Sequence, residues 1–125
     1  MARKKSPHLT DAELRLMQVL WEKRTATVSE VVEALSHGDP PAYSTVLTTL
    51  RILENKGHVR HLKDGRAFVY RPVLGRDEAR QGALSHLVRR FFEGSPELLV
   101  LNLIESGKIT TVELKRLRKR IEEEK

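Results

Sequence analysis

The sequence predicts a mainly α fold with a small β-hairpin wing. A winged helix-turn-helix domain spans residues 9–72, and a C-terminal helical dimerisation region spans residues 73–125. Three observations carry this reading. Thr10 with Glu13 and Thr27 with Glu30 are capping-box pairs, in which the hydroxyl and the acid three residues on satisfy the free N–H groups of a helix start. Apolar residues recur at helical spacing as far as residue 56, then change to short alternating runs. Those runs flank Asp64-Gly65, a preferred residue pair for a tight hairpin turn.

The elements follow in order. Helix 1 starts after Thr10 and runs to about Glu22, with Leu16, Met17, Leu20 and Trp21 on its buried face. Leu9 and Leu14 stand at the spacing of a hydrophobic staple. Thr25-Ala26 is a candidate third strand. Helix 2 covers Val28 to about Leu35 and buries Val28, Val31, Val32 and Leu35. The stretch Ser36-His37-Gly38-Asp39-Pro40-Pro41 reads as the turn. Helix 3 starts near Tyr43 or Ser44 and ends near Lys56, with Gly57 just beyond it. Val46, Leu50 and Leu53 form its stripe, with Leu47 and Ile52 at the edges. The two wing strands are Val59–Leu62 and Ala67–Tyr70. Pairing about Asp64-Gly65 sets Leu62 opposite Ala67, His61 opposite Phe68 and Val59 opposite Tyr70.

Pro72-Val73-Leu74-Gly75 marks the expected domain boundary. Beyond it, helices are expected at about Arg76–Glu93, Pro96–Glu105 and Thr111–Glu123, with Ser95-Pro96 and the Thr110/Glu113 box as start signals. Fifty-three residues are few for an independent core. Leu84, Leu87, Val88, Phe91, Leu98, Leu101, Ile104, Leu114, Leu117 and Ile121 nevertheless call for burial. Two copies packing as a homodimer satisfy them; folding back onto the winged helix is the alternative.

Composition narrows the function. The formal net charge is +6, from 23 basic and 17 acidic residues, which suits a polyanionic partner. The 30 residues from Tyr43 to Pro72 carry Arg51, Lys56, Arg60, Lys63, Arg66 and Arg71 against Glu54 and Asp64, a local net of +4. The face of helix 3 opposite its apolar stripe presents Tyr43, Ser44, Thr45, Thr48, Thr49 and Arg51. An exposed helical face is ordinarily filled with strong helix formers, so this concentration of hydroxyls points to contact with phosphates and base edges. Lys63 and Arg66 flank the wing turn, placed to reach the backbone of double-stranded DNA. Residues 1–8 form a basic N-terminal arm with Arg3, Lys4 and Lys5.

Other chemistries find little support. There is no cysteine, which excludes disulfides, thiolate metal sites and a cysteine nucleophile. His58 and His61 are three apart on a strand and so point to opposite faces, which disfavours a shared metal. No phosphate-binding glycine loop, zinc-protease or serine-hydrolase motif is present, so neither an enzyme nor a cofactor is expected. No apolar run approaches a membrane span, and no apolar segment follows the basic start; the expected location is cytoplasmic. A protein-interaction adaptor built on the same scaffold remains an alternative. So does membrane-surface attachment through Lys115-Arg116-Leu117-Arg118-Lys119-Arg120.

Leu9-Thr10-Asp11-Ala12-Glu13-Leu14 with Met17, Val19, Leu20 and Trp21, Tyr43-Ser44-Thr45-Val46 with Thr48-Thr49-Leu50, Arg51, Leu53 and Lys56-Gly57, and the wing Gly65-Arg66-Ala67-Phe68-Val69-Tyr70 together resemble the penicillinase-repressor and methicillin-resistance-regulator family. The likeness runs across essentially the whole chain. It implies a homodimeric transcriptional repressor acting on palindromic operators, often near genes for antibiotic resistance. It also implies derepression by proteolysis in the dimerisation region, triggered by a membrane sensor protease. The matching bond here joins Asn102 to Leu103, where the family usually carries Phe after the Asn. A copper-sensing branch of the family uses a C-terminal cysteine cluster, which this chain lacks.

Overall fold

In a computed structural model, which describes residues 8–124, the element order is α1 (Asp11–Lys23), β1 (Ala26–Thr27), α2 (Val28–Ala34), α3 (Tyr43–Asn55), β2 (Val59–Asp64), β3 (Ala67–Pro72), α4 (Arg76–Phe91), α5 (Pro96–Glu105) and α6 (Thr111–Glu123). The chain divides into two compact units, one through Ala83 and one from Leu84 onward. The expected winged-helix architecture is present, with a three-stranded antiparallel sheet in the order β1-β3-β2.

The capping boxes form as their residues dictate. Thr10 Oγ1 accepts from Glu13 N at 3.2 Å, and Thr10 N donates to Glu13 Oε1 at 2.8 Å. Thr27 and Glu30 repeat the arrangement at 3.2 and 2.9 Å. Thr27 has the extended backbone of an N-cap, so it can pair as a strand residue and start α2 at once. That is why the third strand is Ala26–Thr27, one residue later than the expected Thr25-Ala26. Its partners are Tyr70 and Val69.

The hairpin register departs from expectation. Asp64 pairs with Ala67, Lys63 with Phe68, Leu62 with Val69, His61 with Tyr70 and Val59 with Pro72. The loop is therefore Gly65-Arg66, and Asp64 is the last rung of the ladder. Gly65 has φ 63°, whereas Arg66 is not at positive φ. Glycine at the first central position alone is the pattern of a type II′ turn rather than the Asn-Gly or Asp-Gly type I′ pattern. The shift is two residues, which changes every partner but leaves each side chain on its expected face.

The first unit's core joins Leu16, Met17 and Leu20 of α1, Val28 and Val31 of α2, and Val46, Leu50 and Leu53 of α3 to Val59 and Tyr70 of the sheet. Each such side chain stabilises the fold by about 1.5–3 kcal/mol on full burial. Val32, Leu35 and Leu47 pack on its margin, while Ile52 is exposed. Leu74 and Ala79 belong to this core as well, although they lie beyond the sequence-expected boundary at residue 72. Trp21 Nε1 donates to Leu74 O at 2.8 Å, and the Arg76 guanidinium stands 5.6 Å from the Trp21 ring. The backbone of His58 ties the end of α3 to the exit from the sheet: His58 N donates to Leu53 O at 2.9 Å, and His58 O accepts from Val73 N and Leu74 N at 2.7 and 3.0 Å.

In the second unit, α5 and α6 have the expected limits. Ser95 caps α5, accepting from Leu98 N at 3.1 Å, and Thr110 with Glu113 caps α6. α4 ends at Phe91, two residues before the expected Glu93, because Glu93 sits at φ 53° and cannot continue a right-handed helix. No residue of α5 or α6 is buried within the single chain.

Candidate nucleic-acid interface

The buried stripe of α3 fixes what its other side displays. With Val46, Leu50 and Leu53 turned into the core, Tyr43, Ser44, Thr45, Thr48 and Arg51 are exposed. Thr49 is different. It is half-buried, and its hydroxyl donates to Thr45 O at 2.8 Å, so the donor is engaged within its own helix. The free hydroxyl face is therefore Ser44, Thr45 and Thr48.

The start of α3 suits an anion. Its N-cap, Ala42, makes no side-chain hydrogen bond, and the first turn contains no acid. Unmet N–H groups and the positive end of the helix dipole both favour a phosphate there. The acid of α3 is Glu54, in the last turn, where His61 Nδ1 lies 2.7 Å from each carboxylate oxygen. Burial pushes the Tyr70 phenol above its ordinary pKa, Glu54 adds to the shift, and Arg51 opposes it. These influences place Arg51 and Glu54 of α3 in one electrostatic neighbourhood with Tyr70 of the sheet.

The wing presents its cations openly. Lys63 and Arg66 are exposed, Arg66 in the turn and Lys63 opposite Phe68. Ion pairs among the described residues join Lys56 to Glu13, His61 to Glu54, Arg80 to Asp77 and Arg118 to Glu122. Arg51, Lys63 and Arg66 stand outside them. The basic arm of Arg3, Lys4 and Lys5 lies outside the described residues.

Sequence reasoning singled out His61 only as half of a weak metal pair and did not connect it with Glu54. A helix-to-strand contact across a turn has no periodic signature. In the structure His58 is buried and precedes β2, while His61 is exposed on β2. Among the described residues there is no group of three metal-ligating side chains, and no helix is long and apolar enough to cross a membrane.

The family model described as penicillinase repressor matches residues 9–123. The penicillinase repressor of Bacillus licheniformis is 33% identical, over 98% of this chain and 95% of that one. The methicillin resistance regulatory protein MecI of Staphylococcus aureus is 23% identical, over 91% of this chain and 93% of that one. The solution structure of the DNA-binding domain of the repressor BlaI aligns with TM-score 0.54 and 37% identity, over 61% of this chain and 93% of that one. A mutant MarR from E. coli complexed with operator DNA aligns with TM-score 0.52 and 18% identity, over 92% of this chain and 74% of that one, and so shares the fold. Over almost its entire described length, then, this chain belongs to the penicillinase repressor family.

Proposed function

We propose that this protein is a transcriptional repressor that binds operator DNA as a homodimer in the cytoplasm, with α3 in the major groove and the wing on the flanking backbone. The observation that carries the reading is the exposed face of α3: hydroxyls and Arg51, no acid in the first turn, and an uncapped N-terminus. Hydroxyls and backbone N–H groups meet phosphates, and arginine meets phosphate or a guanine edge. A relative supports DNA binding, since the B. licheniformis BlaI monomeric form, with 37% identity and TM-score 0.50, has been solved in complex with the blaP half-operator. The adaptor reading needs large apolar anchors on α3; Leu47 packs on the core, and Tyr43 and Ile52 are the large side chains left exposed there.

The dimer is supported by the second unit. Leu84, Leu87, Leu101 and Leu117 are exposed in the single chain, with Phe91 at 67% and Ile121 at 60%. Leu98, Ile104 and Leu114 are half-buried. Val88 is only 8% exposed, already covered within the chain, and leaves little for a partner. Apolar helix faces of this extent mark protein contacts, and a two-fold dimer matches a palindromic site.

Derepression is proposed to follow cleavage at Asn102-Leu103 by a membrane sensor protease. The bond lies inside α5, and Asn102 Nδ2 donates to Leu98 O at 3.0 Å, so α5 must open for a protease to reach an extended chain. Intact-mass analysis of the repressor recovered after induction by a cell-wall antibiotic tests this. Fragments ending at Asn102 support it, and full derepression with an intact chain overturns it.

DNA binding itself is tested by fluorescence anisotropy on the upstream region of its own gene, over a salt series. Arg51→Ala should weaken specific binding by about 1–3 kcal/mol and non-specific binding less. Equal losses on both duplexes would make Arg51 a phosphate contact only, and no loss on either would remove α3 from the interface.

A further inference from the structure

The wing of this protein is weakly supported by its own packing. Of the six residues of β2, only Val59 is buried and the other five are exposed. On β3 the one buried residue is Tyr70. Beyond that base the hairpin has no core beneath it to hold its direction relative to α3.

His61 supplies a link. Its Nδ1 is 2.7 Å from both oxygens of Glu54. A carboxylate only accepts, so Nδ1 carries the hydrogen. The same ring meets Phe68 edge-on, with centroids 4.9 Å apart, and leans on Tyr70 at 5.4 Å. One imidazole thus joins the last turn of α3 to both long strands of the wing. Among the described residues no other side-chain hydrogen bond runs from α3 to the hairpin.

The link also settles a competition. Arg51 and Glu54 are three apart on α3, within reach of each other as a helical pair, although the base on the N-terminal side is the weaker order. Here Glu54 pairs with His61, and among the described residues Arg51 stands in no ion pair. We propose that His61 is a positioning residue for DNA recognition: by engaging Glu54 it holds the wing against α3 and leaves Arg51 unpaired for the duplex. This rests on the reading that α3 and the wing contact the same operator.

The test compares His61→Ala, His61→Gln and the double variant His61→Ala/Glu54→Gln on operator and non-specific duplexes, with log affinity measured against log salt and far-UV melting followed in parallel. His61→Ala should lose about tenfold in operator affinity, the order expected for one lost base contact. Its salt slope should become shallower by about 1–2, one for each phosphate contact at Lys63 or Arg66 that is lost. Adding Glu54→Gln removes the acid that would capture Arg51, so the ratio of specific to non-specific affinity should recover while the slope stays shallow. A residue that only stabilised the fold would not separate those two quantities. His61→Gln keeps a donor for Glu54 and should bind within about twofold of the native chain; it decides the matter if His61→Ala melts too low to assay.

Native-like affinity and slope in His61→Ala overturns the proposal. So does a tenfold loss in a well-folded His61→Gln, or a double variant that discriminates no better than His61→Ala. Lys63→Ala and Arg66→Ala serve as controls. If neither changes the slope while Arg51→Ala weakens binding, the wing does not touch the backbone, and the underlying reading fails rather than the link.

Discussion

Lys56 Nζ lies 2.8 Å from Glu13 Oε2 and 2.9 Å from Oε1, so the end of α3 is fastened to the start of α1 across 43 residues of sequence. Glu13 is only 3% exposed and serves twice, because Oε1 also accepts from Thr10 N at 2.8 Å in the capping box. Burial alone would raise its pKa. The hydrogen bonds from Lys56 and Thr10 outweigh that and hold it below the ordinary carboxylate value of 4.5.

Acid should therefore weaken the first unit. With the folded pKa below the unfolded one, the unfolded chain binds more protons in the window between them, so stability falls with falling pH. The Glu13 contribution is full above about pH 4.5 and is lost as pH drops through the lower folded value. Lys56→Met should cost about 1–2 kcal/mol at pH 7 in urea unfolding. That is less than the roughly 3–5 for breaking a fully buried pair, because the Lys56 side chain is 30% exposed. It should also flatten the acid dependence. An unchanged pH profile in Lys56→Met would mean that Glu13 is held by its cap alone.

Arg60 and Arg71 face each other across β2 and β3, both exposed and both outside the ion pairs of the described residues. Like charges directly opposite destabilise a ladder. Arg71→Thr should raise stability by about 0.2–1 kcal/mol at low salt, with the gain shrinking at 1 M salt as the repulsion is screened. A loss of stability that ignores salt would refute the repulsion.

Trp21 Nε1 bonds to Leu74 O at 2.8 Å. Trp21→Phe keeps an aromatic ring but leaves that carbonyl without its partner. The expected cost is about 1–3 kcal/mol, read from denaturant unfolding by circular dichroism. A cost below about 0.3 kcal/mol would show that the carbonyl finds another donor.

Thr48 and Thr49 are neighbours with different expected roles. Thr49 already donates to Thr45 O, whereas Thr48 is exposed. Thr48→Val should lose operator affinity several-fold and Thr49→Val less than twofold, since only the former removes a hydroxyl free to meet DNA. The reverse order in an anisotropy titration would overturn this assignment of the α3 face.

Much of the architecture was legible in the residues. The Thr10/Glu13, Thr27/Glu30 and Thr110/Glu113 boxes mark helix starts because a hydroxyl and an acid three apart act locally. The stripe Val46, Leu50, Leu53 orients α3 through its period, and the exposed Tyr43, Ser44, Thr45, Thr48 and Arg51 follow from it. The hairpin itself was visible, but its register was not. Asp64-Gly65-Arg66 admits two turns differing by a two-residue slide, and neither violates the alternation of faces.

The sequence by itself determined the order of elements, the buried stripe Val46, Leu50 and Leu53 of α3, and the basic, hydroxyl-rich character of α3 and the wing. These depend on interactions within a few residues, or on a period that any packed partner would enforce. Only the tertiary structure decided that Gly65-Arg66 forms the turn, that Lys56 fastens Glu13, that Leu74 and Ala79 complete the first core, and that His61 engages Glu54. Each of those joins residues whose neighbourhood exists only after the chain has folded, and local preference has no term for a partner on another element.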